Sequence, residues 1–258
     1  MKTNKKNYFY ISTIFLLIFS FTAIAQSVDE QYAKALKLKT EYKYKEAFPL
    51  FQALVKLDSN NIDYLTGASY CYSKYGFFHL TVETEKIKYY QAAEKLAKKA
   101  IKINDNSADA HYLYAMALGR INENASSKQK IANAKLIKSQ VDKAIAVNSK
   151  LAGAYHILGR WHRTIANFSS IEKAMINSFY GGVPAGGTHA DAVKSFMTAI
   201  AIEPKFMMHQ FELAQTYYDM GKKVEAKLWA EKALQNTPFC EDDFKAKKDC
   251  EELLKDLK

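Results

Sequence analysis

The pattern of bulky, small and polar positions is clearest over residues 211–238, which read FELAQTYYDMGKKVEAKLWAEKALQNTP. The first half places a bulky–small pair and an aromatic residue on one helical face, and Gly221 follows at a turn. The second half places alanines on one face of another helix, and Pro238 ends the unit because proline cannot continue a helix. Small residues let two antiparallel helices approach closely, and bulky ones fill the space beside them. The pattern therefore predicts a pair of packed helices.

The same spacing recurs upstream. The small position of the first helix falls at Ala35, Gly67, Ala115, Gly159 and Ala214. The matching position of the second helix falls at Ala47, Ala93, Ile137, Ala192 and Ala226. This spacing resembles the tetratricopeptide repeat (TPR), with extra residues between the helices of the middle three units. The predicted fold is all-α, a right-handed TPR-type α-solenoid of about five helix pairs plus a C-terminal capping helix.

The unit boundaries follow from these positions. We predict one TPR-like helical domain over residues 27–258, with repeats at about 28–61, 60–107, 108–150, 152–205 and 207–240. Residues 241–258 form an amphipathic segment that is expected to cover the last repeat with Phe244, Leu253, Leu254 and Leu257.

A glycine-rich segment, GGVPAGG at residues 181–187, interrupts the fourth unit. It lacks the preceding strand and the Gly-Lys-Ser/Thr ending of a phosphate loop. We therefore predict a connection between a long first helix over about 151–178 and a second helix that opens at Thr188. Thr188 and Asp191 have the spacing of a capping box in which Asp replaces Glu.

The fourth unit also resembles one particular family, the regulators of microtubule dynamics. The matching motifs are Gly159-Arg160-Trp161, Ile171-Glu172-Lys173, Pro184 and Phe196-Met197-Thr198-Ala199. The likeness extends over about residues 60–255, and half of it is generic repeat pattern. The resemblance implies an all-helical, non-catalytic domain that works through protein contacts. It assigns no binding residue.

The N-terminus predicts export. A positive head containing Lys2, Lys5 and Lys6 precedes an apolar run over residues 8–21, and Ala23-Ile24-Ala25 fits a cleavage site before Gln26. Residues 1–25 are therefore a predicted signal peptide, and retention as an uncleaved anchor is the alternative. Removing the three lysines lowers the formal net charge from +10 to +7. We predict a periplasmic or secreted protein, most consistent with a bacterial cell envelope.

The residues that carry chemistry are sparse. No two of the six histidines have metal-ligand spacing, and no HExxH or Gly-x-Ser-x-Gly motif occurs. We therefore expect no catalytic residue, no metal and no cofactor. Cys71 is expected to be a buried apolar residue. A disulfide between Cys240 and Cys250 requires a turn between them and is left open.

In a TPR the first helices line a concave groove, and counting from the small position selects the residues that point into it. Aromatic-type residues recur three positions before it, and the three arginines of the chain also fall on groove positions. We predict a partner groove lined by Tyr32, Tyr64, Tyr112, Arg120, His156, Arg160, Arg163, Phe211, Gln215 and Tyr218. Because arginine presents a planar fork to carboxylates, the hypothesised guest is an acidic peptide or a chain-terminal carboxylate. The alternative is that the arginines pair with acids of the inserted segment, such as Glu172.

These observations predict an exported, non-catalytic scaffold that binds a partner protein or peptide in its concave groove. One alternative is a peripheral binder of anionic membranes or envelope polymers, which fits lysines spread over every helix. Another is a microtubule-associated regulator, as the resembled family implies. We expect no nucleic-acid partner, because no dense basic stripe stands out in the sequence. The oligomeric state is left open.

Overall fold

The computed structural model describes residues 27–123, 125–179, 182 and 186–258, and all regular structure within these ranges is helical. The predicted signal peptide, and most of GGVPAGG with Pro184, lie outside the described residues. In chain order the helices are 27–40 (α1), Tyr44–Leu57 (α2), Ile62–His79 (α3), Glu83–Ile103 (α4), Ala108–Asn122 (α5), Ser127–Val147 (α6), Ala152–Ala166 (α7), Ser170–Phe179 (α8), His189–Ile202 (α9), Met207–Asp219 (α10), Lys223–Leu234 (α11) and Glu241–Asp256 (α12).

The helices form consecutive hairpins. The pairs are α1 with α2, α3 with α4, α5 with α6, α7 with α9 and α10 with α11, and α12 packs against the last pair. The first helices α3, α5, α7 and α10 also contact one another in series, so they make one side of the molecule, which we call the inner face. The second helices α2, α4, α6, α9 and α11 make the outer face. The predicted fold class, an all-α solenoid of TPR type, is confirmed.

Small residues occupy the positions where the helices cross. The ten positions chosen from the sequence are all buried: Ala35, Gly67, Ala115, Gly159, Ala214, Ala47, Ala93, Ile137, Ala192 and Ala226. At Gly159 an added Cβ would lie 2.7 Å from the ring of Phe196 on α9, so the aromatic side chain fills the space that glycine leaves. The ring of Phe51 on α2 lies over Gly67 on α3 in the same way. These contacts are the small-against-bulky packing that the sequence pattern predicts.

The tight turns of the first and last hairpins share an unusual backbone. Gly221 has φ 73° in the α10–α11 turn, and Tyr42 has φ 59° in the α1–α2 turn. Both residues follow the buried alanine of their first helix by seven positions, so the turns are equivalent. A non-glycine residue in this left-handed region costs about 1 kcal/mol. The Tyr42 ring packs against Phe239 at a centroid distance of 5.3 Å and so has contacts that offset this cost.

The prediction of one long first helix over about 151–178 is wrong, because two separate helices occupy this segment. α7 ends at Ala166, and α8 begins at Ser170. Ser169 and Glu172 explain the break: Ser169 N–H and Oγ–H both donate to Glu172 Oε2 at 2.8 Å, and Glu172 N–H donates back to Ser169 Oγ at 3.2 Å. This reciprocal pair is a capping box that starts a new helix. The predicted cap at Thr188 and Asp191 is confirmed as a capping box at the start of α9.

The C-terminal helix covers the last hairpin as predicted, with one exception. Leu253 is buried, and Leu254 and Leu257 pack beside it against α10 and α11. Phe244 is instead 63% exposed, and its predicted place is taken by Ala246 and Cys250 on the buried side. None of the helices among the described residues is long and apolar enough to cross a membrane.

Candidate functional site: the inner face

The predicted groove residues lie on first helices, and the aromatic-type members connect successive units. At the N-terminal end, Tyr32 on α1 contacts Tyr64 on α3 with ring centroids 5.2 Å apart. Tyr64 is buried, and both rings belong to the core that includes Phe51. These two tyrosines therefore contribute to packing between units rather than to an open groove.

Tyr112 makes the corresponding contact between the third and fourth units. Its ring lies over Gly153 at the start of α7, where an added Cβ would come within 2.7 Å of the Tyr112 hydroxyl oxygen. The same hydroxyl lies 3.7 Å from Met116 Sδ. Burial, reinforced by the nearby carboxylates of Asp242 and Glu203, raises the pKa of Tyr112. The phenol therefore stays neutral and packs against the next helix.

His156 joins the fourth and fifth units through a second histidine. His156 Nδ1 and His209 Nδ1 on α10 are 2.9 Å apart, so the N–H of one ring donates a hydrogen bond to the other ring. The far nitrogen of His209, Nε2, lies 3.2 Å from Glu203 Oε2. Burial, together with the nearby positive charges, lowers the pKa of His156 well below its usual value. Phe211, the last member of this series, packs with Ala246 of α12.

Arg163 is held by carboxylates of its own chain. Its Nη2 lies 2.7 Å from Glu212 Oε2, its Nη1 donates to the Glu212 carbonyl at 3.2 Å, and its Nε lies 3.7 Å from Asp219 Oδ2. The Arg163 side chain is only 16% exposed. Of the two possibilities left open from the sequence, internal pairing describes Arg163. Its partners are Glu212 and Asp219, while Glu172 caps α8 instead.

Arg160 is held more loosely. Its Nε lies 3.4 Å from Glu212 Oε1 and its Nη2 lies 3.9 Å from Glu123 Oε1, and 43% of the side chain is exposed. Both distances exceed the 2.7–2.9 Å of a strong charge-assisted hydrogen bond. Arg160 is therefore the predicted arginine that keeps donors available on the inner face.

Arg120 stacks on an aromatic ring. Its guanidinium carbon lies 3.6 Å from the ring centroid of Phe77 on α3, and its Nη1 lies 3.5 Å from Glu123 Oε1. Burial and the neighbouring Arg160 charge lower the pKa of Arg120. The last two predicted residues lie on α10, where Gln215 donates to Asp219 Oδ1 at 3.0 Å and Tyr218 is exposed.

The main relationship that the sequence did not predict is a contact across the inner face. Lys74 Nζ on α3 donates to Asp242 Oδ2 at 2.6 Å and to Oδ1 at 2.8 Å, and the two side chains are 10% and 7% exposed. Three rings surround the ammonium group at 5.5–5.8 Å from their centroids, those of Tyr44, Tyr70 and Phe78. We call this contact the latch, because it joins the second unit to the C-terminal helix.

Neighbouring contacts support the latch. His79 Nε2 lies 3.3 Å from Glu241 Oε1, and Asp243 Oδ1 accepts a hydrogen bond from Met207 N–H at 2.8 Å. The start of α12 is thus fixed to α3 on one side and to α10 on the other. A sequence signal for Lys74 does exist. Tyr70, Lys74 and Phe78 are spaced by four residues and share one helical face, so a single lysine lies in an aromatic stripe.

The inner face as a whole is close to electrically balanced. Lys74 and the three arginines contribute positive charge, and they are matched by Asp242, Glu123, Glu212 and Asp219. No group of three or more potential metal ligands occurs in the described part of the chain. All three cysteines are buried free thiols, and Cys240 and Cys250 lie at the start and within the body of the same helix.

The hairpins, the buried small residues and the inner face define a TPR-type helical-repeat protein, a class that presents concave surfaces to protein partners. The chain belongs to a particular family of this class, regulator of microtubule dynamics protein 1-3, whose sequence model matches residues 24–258. The resemblance found in the sequence is therefore confirmed.

Curated relatives support this family membership, and a solved structure supports the fold. The chain is 30% identical to regulator of microtubule dynamics protein 1 of Bos taurus over 223 residues, which is 86% of this chain and 66% of that protein. It is 29% identical to protein 3 of the same organism over 225 residues, 86% of this chain and 47% of that protein. The chain thus spans about half to two thirds of these relatives' lengths. A TPR protein of Thermus thermophilus superposes with a TM-score of 0.64 at 17% identity, covering 88% of this chain and 98% of that one, and supports the fold alone.

Proposed function

We propose that this chain is a non-catalytic scaffold that binds a peptide segment of a partner protein on its inner face, with Arg160 as the contact for a partner carboxylate. The observation that carries the proposal is the contrast among the arginines. Arg163 is largely buried and pairs with Glu212 at 2.7 Å, and Arg120 lies against Phe77, whereas Arg160 remains 43% exposed with longer ion pairs.

The balanced charge of the inner face limits how much negative charge the partner peptide can carry. Glu123 and Glu212 flank Arg160, so a strongly acidic segment would meet repulsion on both sides. A single carboxylate, such as one acidic side chain or a chain terminus, can reach the free donors of Arg160 without this penalty. The hypothesis from the sequence is therefore narrowed from an acidic peptide to one carboxylate in a segment of mixed polarity.

Affinity capture tests this proposal. Tagged residues 27–258 are used as bait against extract of the source cells, and Arg160→Glu is compared with the wild type. The expected result is loss of a defined set of bound proteins with Arg160→Glu at unchanged helicity. Lys194→Glu, an exposed charge reversal on the outer face, is the matched control and should retain the set. Equal capture by all three baits would overturn the proposal.

We also propose that the protein is exported. The support is the order of charged, apolar and small residues over positions 2–25. Expression of the full chain in a bacterial host, followed by fractionation and N-terminal mass spectrometry, is expected to give a periplasmic product that begins at Gln26. A product that begins at Met1 in the cytoplasm would contradict export.

A second candidate function, regulation of microtubules, is favoured by family membership. If the chain shares this activity, purified residues 27–258 should co-sediment with taxol-stabilised microtubules in a saturable way. Absence of co-sedimentation at low ionic strength would count against the candidate and would leave the scaffold proposal in place.

A further inference from the structure

Positive charge is concentrated on two neighbouring helices of the outer face. α4 carries six lysines against three acidic residues, and α6 carries five lysines against one. Their combined excess of seven equals the whole formal net charge of residues 27–258, which is +10 less the three lysines of the N-terminal segment. α12 has the opposite bias, with four lysines against seven acidic residues. The expectation from the sequence that lysines are spread over every helix is wrong for α5, α7 and α10, which contain none.

The lysines of α4 form a line. Lys88, Lys95 and Lys102 follow one another at intervals of seven residues, so they lie on one helical face about 10 Å apart. All three are exposed. Among the residues that the structure describes, none of the three has a carboxylate within salt-bridge distance, whereas Lys86 and Lys98 are paired with Glu83 and Glu94.

α6 extends the same surface. Ala97 of α4 and Ile137 of α6 belong to one core cluster built around α5, so the two helices flank the same first helix. Lys143 Nζ on α6 lies 3.3 Å from Asp105 Oδ1, which follows the end of α4. Lys128 and Lys130, near the start of α6, are exposed. We call the exposed outer side of α4 and α6 the basic face.

We propose that the basic face is a second binding surface, separate from the inner face, and that its partner is an acidic polypeptide segment. Charge complementarity carries the inference, because Lys88, Lys95 and Lys102 have no carboxylate within salt-bridge distance among the described residues, whereas Arg163 of the inner face is paired with Glu212. Lysine is a flexible point charge, which suits the mobile carboxylates of an extended chain. Three residues of extended chain span about 10 Å, the spacing of the α4 lysines.

Two other polyanions fit this surface less well. Binding in a membrane interface uses large apolar side chains on the face that enters the lipid. On α4 and α6 the large apolar side chains exposed in the described structure are Ile103 and Val147, one at the C-terminal end of each helix. Single-stranded nucleic acid is held by exposed aromatic rings as well as by charge. Tyr89 and Tyr90 of α4 are instead packed inward, against Phe48 and Gly76.

The experiment measures the fluorescence anisotropy of a labelled ten-residue polyglutamate peptide titrated with residues 27–258 at 50 mM and 200 mM salt. The wild type is expected to bind, more weakly at the higher salt concentration. The triple variant K88E/K95E/K102E should bind about tenfold more weakly or worse. The matched control K45E/K194E/K247E makes the same change in net charge at exposed lysines of α2, α9 and α12, and its affinity should stay within about twofold of the wild type. Circular dichroism verifies that both variants are folded.

Each contrary outcome overturns the proposal in a distinct way. Equal loss in both triple variants would show a general charge effect without a defined surface. Unchanged binding by K88E/K95E/K102E would show that the basic face does not bind the peptide. Tighter binding of phosphatidylserine vesicles or polyadenylate RNA than of polyglutamate, with the same dependence on the α4 lysines, would replace the acidic polypeptide with that partner. The inner-face proposal is tested separately, by capture with Arg160→Glu, so failure of one proposal is distinguishable from failure of the other.

Discussion

Lys74 Nζ lies 2.6 Å from Asp242 Oδ2, although 168 positions of the sequence separate the two residues. Removing two charges from water costs several kcal/mol per ion, and their attraction in the interior offsets this only with good geometry. The latch therefore adds little to stability compared with an apolar pair of the same volume. Its effect is on shape, because it fixes the start of α12 against the second unit.

Breaking the latch on one side should be costly. Asp242→Asn leaves the Lys74 ammonium group among three rings without a counter-charge, so we expect the free energy of unfolding to fall by about 3 kcal/mol. Urea unfolding followed by circular dichroism measures this loss. Asp249→Asn is the matched control, because Lys245 Nζ and Asp249 Oδ2 are also 2.6 Å apart but belong to an exposed pair one helical turn apart. It should cost less than about 0.5 kcal/mol.

Removing both charges of the latch should restore much of the loss. In Lys74→Met/Asp242→Leu no unpaired charge is left in the interior, so we expect this double variant to be more stable than either single substitution. Small-angle scattering gives a second readout: the radius of gyration of Asp242→Asn should exceed that of the wild type. Equal stability of Asp242→Asn and Asp249→Asn would show that the latch pair is not buried in solution.

The packing of aromatic rings over glycines makes a second prediction. Gly67→Ala and Gly159→Ala introduce a methyl group against Phe51 and Phe196, and each should destabilise by about 1–3 kcal/mol. Gly119 lies within α5 with no atom within 4 Å of an added Cβ, so Gly119→Ala should stabilise by about 0.5–1 kcal/mol through helix propensity. Thermal unfolding of the three variants measures these changes: the melting temperature should fall for Gly67→Ala and Gly159→Ala and rise for Gly119→Ala. A loss of stability in Gly119→Ala would contradict the open space beside it.

The histidine pair predicts a pH dependence. Burial lowers the pKa of His156 in the folded chain, and the ordinary value in the unfolded chain is about 6.5. Below that pH the unfolded chain takes up a proton that the folded chain does not, so the free energy of unfolding falls as the pH decreases. The groups that face His156 are His209 on α10, Arg160 on its own helix, Arg120 on α5 and Lys74 on α3, all of which oppose protonation.

The measurement compares wild type and His156→Gln in urea at pH 6.5 and pH 5.0. The wild type should lose up to about 2 kcal/mol more than the variant over this interval, since a one-proton difference is worth about 1.4 kcal/mol per pH unit. If stability depends on pH in the same way in both proteins, the pKa of His156 is not lowered in the folded chain.

The buried thiols predict slow modification. Burial raises the pKa of Cys71, Cys240 and Cys250 to about 12, so the thiolate fraction at pH 8 is about a thousandfold below that of an ordinary cysteine. Ellman's reagent should find almost no reactive thiol in the native protein and all three in 6 M guanidinium. One reactive thiol in guanidinium would instead reveal a Cys240–Cys250 disulfide in the isolated protein.

Much of the fold could be predicted because its determinants are local. Ala214, Ala226 and Gly221 specify a hairpin within a short stretch of sequence, and the same spacing elsewhere specifies the other hairpins. The Thr188–Asp191 cap is likewise contained within one helical turn. The break after Ala166 had an equally local signal, Ser169 followed by Glu172, but the apolar pattern runs through it without interruption.

The site was harder to predict because its contacts are not local. Counting from the small positions selects the inner helices, yet it does not show which residues of successive units meet. Arg163 pairs with Glu212, 49 positions away, and the latch depends on the accumulated rotation of every hairpin between Lys74 and Asp242. Small differences in the rotation between successive hairpins decide whether Lys74 and Asp242 meet. No short sequence motif specifies the total rotation.

The latch also limits how many hairpins the chain can contain. An open solenoid can gain or lose a unit at modest cost, because each unit contacts only its neighbours. Here the chain must return to its second unit when it reaches α12, so inserting or deleting one hairpin would carry Asp242 away from Lys74. The contact between α12 and α3 therefore constrains the number of hairpins. α8, Ser170–Phe179, lies between the two helices of one hairpin, so a change of length beside it leaves the number of hairpins unchanged.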